Sequence, residues 1–79
     1  MSARVVLVGK PGCHLCDEVR AVIARVCAEQ AVAWREVSIL DDPALADRYW
    51  EQIPVTLVDG EVVGVWRVDP GRLAAALGG

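Results

Sequence analysis

The chain has 79 residues, 54% of them hydrophobic, and a formal net charge of −3. A chain this short makes one small domain over residues 1–79, which buries roughly 60% of its unfolded surface. Its apolar residues are mainly Val, Ala, Leu and Ile with no Phe, so a core of small aliphatics is expected. The acidic balance leaves no basic patch to displace counterions from phosphates, which argues against nucleic acid as a partner.

Arg4 to Val8 reads as the first strand, broken by Pro11 and Gly12. From Cys13 onward, Leu15, Val19, Val22, Ile23 and Val26 recur at helical spacing, and Asp17 and Glu18 fall in the first turn, where a helix dipole favours acids. This helix is expected to run to about Glu29. Val32 to Ile39 alternates as an edge strand does. Asp42-Pro43 marks the start of a second helix, with Asp as N-cap and Pro at the first helical position. Ile53 to Val58 and Glu61 to Trp66 are β-rich runs joined by Asp59-Gly60, a strong hairpin signal. Asp69-Pro70 repeats the cap device, and Leu73, Ala74 and Leu77 give the last helix one apolar stripe before Gly78.

The order βαβ then ββα describes an α/β domain. A right-handed parallel unit is extended by an antiparallel hairpin, giving a four-stranded mixed sheet flanked by helices. This is the minimal thioredoxin fold. Only Val5-Val6-Leu7-Val8 follows the N-terminal Arg4, far too short for a signal-peptide core or a membrane span. The expected location is the cytoplasm. Three cysteines, an odd number, then point to reduced thiols with a task rather than to a secreted disulfide framework.

Cys13-His14-Leu15-Cys16 carries the chemistry. A CxxC at a strand-to-helix turn puts two thiols within disulfide reach on the first turn of a helix and reads as a redox dithiol. Cys13, at the helix N-terminus among unpaired backbone N–H groups, is the expected nucleophile. Cys16, one turn further in, is the expected resolving thiol that attacks the mixed disulfide on Cys13. The alternative is half of a zinc site. Cys27, the remaining thiol, lies on the order of 16 Å along the helix from Cys16 at about 1.5 Å per residue, so no metal site is expected. Cys27 is read as a buried packing thiol, with an accessory redox role as the alternative.

Gly9-Lys10-Pro11-Gly12-Cys13-His14-Leu15-Cys16-Asp17-Glu18, together with Asp42-Pro43, Arg48-Tyr49, Ile53-Pro54-Val55 and Asp59-Gly60, resembles the small bacterial glutaredoxin-like proteins over nearly the whole chain. The resemblance implies a thiol–disulfide oxidoreductase that reduces protein or mixed disulfides. It implies that Lys10 lowers the thiol pKa and meets a carboxylate of a bound thiol, against its plain reading as a solvated loop charge. It implies a cis bond before Pro54, freeing the backbone of Ile53 to pair with a bound peptide or thiol. His14 is either a further thiolate partner or an ordinary first-turn residue.

Many glutaredoxins carry a Gly-Gly-x-Asp clamp for the glutamyl end of glutathione. Here the matching stretch is Gly64-Val65-Trp66-Arg67, a cation where an acid is common, which disfavours glutathione as cosubstrate. Trp34, Trp50 and Trp66 are expected in the core or at its edge, with Trp66 the first candidate for an exception beside the thiol site. No tightly bound cofactor is expected. A low-molecular-weight thiol, glutathione or another, is the possible cosubstrate, and a disulfide-containing protein or thiol, with a thiol or reductase electron donor, are the expected partners of a monomer. Two other classes stay open: an iron–sulfur or metal-carrying module using Cys13, and a redox-inert interaction domain.

Overall fold

A computed structural model describes residues 3–78; of the single domain expected over 1–79, residues 1, 2 and 79 lie outside the described residues. The elements run β1 (Val5–Gly9), α1 (His14–Gln30), β2 (Trp34–Ser38), α2 (Pro43–Tyr49), β3 (Val55–Val58), β4 (Glu61–Val65) and α3 (Pro70–Ala76). The sheet order is β2-β1-β3-β4. β1 pairs parallel with β2, antiparallel with β3, and β3 pairs antiparallel with β4. This is the minimal thioredoxin fold that the sequence pattern predicts.

The connections explain the order. A parallel pair needs a crossover of a dozen or more residues, which α1 supplies between β1 and β2. The β3–β4 pair needs only a two-residue turn: Asp59 (φ 51°) and Gly60 (φ 86°) both take positive φ, the pattern of a type I′ hairpin. Asp59 is further held by Arg4, whose Nη2 donates to Oδ2 at 2.9 Å. The ends of the strands fall one or two residues from the sequence limits. β2 is shorter than the alternating run Val32 to Ile39, because its ladder with β1 extends from Val5↔Trp34 only to Gly9↔Ser38.

Two cores cover the two faces of the sheet. The larger joins Val5, Leu7 and Val58 to Val19, Ile23 and Val26 of α1 and Leu73 of α3. The smaller joins Val8, Val55 and Leu57 to Tyr49 at the end of α2. Alternation puts successive strand residues on opposite faces, so Leu7 and Val8 enter different cores. Cys27 is 1% exposed in the larger core, the packing position expected for it. None of the helices among the described residues is long and apolar enough to cross a membrane.

Two of the three tryptophans depart from the expected core placement. Trp34 packs at the edge of the larger core, but Trp50 and Trp66 are 63% and 56% exposed. Each lies just past the end of an element, Trp50 capping α2 and Trp66 following β4, where periodicity no longer sets direction. Leu15 also leaves the apolar stripe of α1 and is exposed, although Cys16 beside it is fully buried.

Candidate functional site

The dithiol sits where β1 hands over to α1. Cys13 has extended backbone (φ −95°, ψ 114°) and is the N-cap of α1, its Sγ accepting the backbone N–H of Cys16 at 3.2 Å. The sulfur therefore does the work usually given to a Ser or Asp oxygen, satisfying one of the orphan N–H groups of the first turn. Cys13 is partly exposed, whereas Cys16 is fully buried. One turn of helix is enough to separate an accessible sulfur from a protected one.

Gly9 makes room for the second sulfur. A Cβ built on Gly9 would lie 3.0 Å from Cys16 Sγ, so a side chain at the C-terminal end of β1 would press on the thiol. Burial first, and then the hydrogen bond of the thiol with Cys13, push the Cys16 thiol up to about 11, with the Lys10 backbone pulling the other way. A thiol in that state keeps its proton at neutral pH and is a poor first nucleophile. Burial also pushes the Cys27 thiol up.

Cys13 opens onto a hollow of about 350 Å³ on the β2 side, lined among others by Lys10, Asp17, Arg20, Glu36 and Asp41. Lys10 and Cys13 thus border the same hollow. The Arg20–Glu36 pair is a component that the sequence reading did not find. Arg20 Nε and Nη2 donate to the two carboxylate oxygens of Glu36 at 2.7 and 2.8 Å, and Nη1 donates to Asp17 at 2.6 Å. The hydrogen bonds from Arg20 hold the Glu36 carboxyl below its usual range. The fork ties the second turn of α1 to the edge strand β2, across 16 residues of sequence. A spacing that long leaves no periodic signal; only the topology reveals it.

Ile53, Pro54 and Trp66 lie on the β3–β4 side of β1, opposite β2. Val8 pairs with Val55, so Pro54 continues the antiparallel register toward Gly9, at the dithiol end of the sheet. The Ile53–Pro54 bond is cis, Pro54 is buried and Ile53 half-buried. Trp66 comes to the same end by following Val65, the partner of Val55. His14, the first residue of α1, is exposed. Arg67 is not among the residues lining the Cys13 hollow; it borders a separate depression with Glu18, Val19, Val22 and Val68. Among the described residues no group of three or more His, Cys, Asp or Glu side chains is gathered as metal ligands would be.

Comparison with known proteins places this geometry. Residues 4–78 match the family model described as Glutaredoxin-like domain (DUF836). The X. campestris protein XcR50 is 33% identical, with a TM-score of 0.74 over 94% of this chain and 95% of that one. The Nitrosomonas europaea protein Ne2328 is 21% identical, with a TM-score of 0.76 over 95% and 91% of the two chains. The holo form of glutaredoxin C1 from Populus tremula x tremuloides is 18% identical, with a TM-score of 0.58 over 96% and 75%, a likeness of fold. No curated protein matches the sequence.

Proposed function

The chain belongs to the glutaredoxin-like domain family, and from that membership and the geometry of its dithiol we propose that it is a thiol–disulfide oxidoreductase cycling between a Cys13/Cys16 dithiol and disulfide. The observation that carries this is the division of labour in one helical turn: Cys13 partly exposed at the cap of α1, Cys16 fully buried behind it and hydrogen-bonded to it through its backbone N–H.

In the proposed reaction the Cys13 thiolate attacks one sulfur of a partner disulfide. A Cys13–partner mixed disulfide forms, and the other partner sulfur leaves as a thiolate that takes up a proton. Cys16 then loses its proton and attacks Cys13 Sγ. The bond to the partner breaks, the partner leaves as its second thiol, and the protein is left as the intramolecular disulfide. The two electrons gained by the partner are restored to the protein by a thiol or dithiol reductant. Burial of Cys16 fits the second step, because the sulfur it must attack is Cys13 Sγ, one helical turn away, and not a sulfur of the partner. Lys10, which borders the same hollow, is assigned the supply of positive charge near the reacting sulfur. No tightly bound cofactor is required. The proposed setting is the cytoplasm, where the thiols stay reduced, and the proposed partners are a disulfide-bearing protein and a thiol or reductase electron donor.

Limited alkylation followed by mass mapping tests the assignment. Cys13 should be modified first, because Cys16 and Cys27 are both buried. Mild oxidation should then remove two hydrogens and join Cys13 to Cys16 in a bond that a dithiol reverses. First modification at Cys27, or an oxidised protein lacking the Cys13–Cys16 link, would refute the proposal.

A further inference from the structure

Trp66 is held in a way that its burial does not explain. Its φ is 67°, the left-handed region that a bulky residue rarely enters and that persists only where surrounding contacts enforce it. Two such contacts are present, and both reach the segment between α2 and β3. The backbone N–H of Trp66 donates to the Pro54 carbonyl at 2.8 Å, and its indole N–H donates to the Glu51 carbonyl at 3.1 Å. The turn behind it is equally constrained: a Cβ on Gly64 would meet the Arg67 carbonyl oxygen at 2.6 Å and Val68 Cα at 3.2 Å. The ring itself stays 56% exposed. An aromatic residue held in an unfavourable backbone conformation while remaining open to solvent is better explained by what it fastens than by what it fills.

It fastens both ends of residues 51–54, the stretch carrying the cis bond. By the register of β1 with β3, that stretch lies beside Gly9, the residue on which Cys16 Sγ packs. We propose that Trp66 is a positioning residue, which fixes the Glu51–Pro54 segment at the dithiol end so that the enzyme acts on disulfides within polypeptides, large enough to lie along that segment. This rests on the disulfide-exchange activity proposed above. The segment makes no part of the hollow into which Cys13 opens on the β2 side, so a small disulfide approaching Cys13 from there does not depend on it.

The test uses Trp66→Phe, which keeps the ring and removes the indole donor, and Trp66→Gly, which also relieves the backbone. Insulin serves as the polypeptide disulfide, bis(2-hydroxyethyl) disulfide as the small one, and a dithiol as reductant. With Trp66→Phe, KM for insulin should rise about fivefold, the worth of one hydrogen bond, with kcat within about twofold and the small disulfide unaffected. Trp66→Gly, checked by circular dichroism to be folded, should raise KM for insulin at least as far. A variant that slows both substrates equally has lost structure in general, and two variants that match wild type leave the segment unassisted; either result overturns the positioning role. If wild type turns over neither disulfide, the exchange activity itself fails, and the positioning role with it.

Discussion

The three helices begin with the same device in two chemical versions. Asp69 accepts the Arg72 backbone N–H at 2.8 Å, and Asp42 accepts those of Ala44 and Leu45 at 3.0 and 3.4 Å, each with Pro following. Cys13 makes the same cap to the residue three positions on, but with sulfur and at 3.2 Å, and with His14 where the other helices have Pro. Carboxylate oxygen is the better cap, and a Cys at this position gives up some helix stability. The difference shows what α1 was given in exchange: a sulfur aimed along the positive end of a 17-residue helix, where negative charge is favoured. The short helices are capped by carboxylates, the long one by the thiol to which the proposed exchange reaction assigns the attack.

Giving α1 the cap of its neighbours should break that contrast most sharply. Cys13→Asp is expected to abolish disulfide exchange while leaving folding stability no lower than wild type, with a gain of up to about 1 kcal/mol from the stronger cap. Exchange assays and denaturant titration check the two halves. A Cys13→Asp protein less stable than wild type would mean that sulfur is needed at the cap for reasons of packing.

The buried sulfur sharpens the same contrast through pH. Burial raises the Cys16 thiol from its ordinary range to about 11 in the folded chain, so the folded state holds a proton that the unfolded state releases. A group raised in this way contributes stability that is complete below pH 9 and drains away as pH climbs through 11. The reduced protein should lose about 2 kcal/mol over that interval. Cys16→Ser should retain only the smaller loss owed to Cys27, which is raised in the same direction. Urea titrations at pH 8 and pH 11 measure both.

The carboxylate caps should show the smallest effect and no chemistry. Asp42→Ala and Asp69→Ala are each expected to cost about 1 kcal/mol of stability, with the rate of Cys13 alkylation within about twofold of wild type. A marked change in Cys13 reactivity would mean that the caps are coupled across the sheet.

Much of this was legible in the sequence because the signals are local. A cap, a Pro at the first helical position, an Asp-Gly turn and a CxxC each act within four residues. The apolar run Val5 to Val8 and the stripe of α1 marked the strand and helix that meet at the dithiol. Three features were hidden for physical reasons. The Arg20–Glu36 fork joins a helix to a strand 16 residues away, which depends on how α1 crosses the sheet. The hydrogen bonds of Trp66 to the Glu51 and Pro54 carbonyls accompany a positive φ that no local sequence signal announces. Arg67 lies beside Glu18 and Val22 rather than in the Cys13 hollow, since the close approach of Arg67 and Val68 to Gly64 sets the path of that turn.

The assignment of attack to Cys13 and resolution to Cys16 is tested most directly by trapping. Each single serine variant is incubated with a disulfide substrate and analysed intact by mass spectrometry without reductant. Cys16→Ser should accumulate a stable mixed disulfide on Cys13, because the attacking sulfur is present and the resolving one is gone. Cys13→Ser should carry no adduct and no activity, since Cys16 is buried with its proton held. Adducts of equal yield in the two variants, or an adduct on Cys16 alone, would contradict the roles assigned to the two sulfurs.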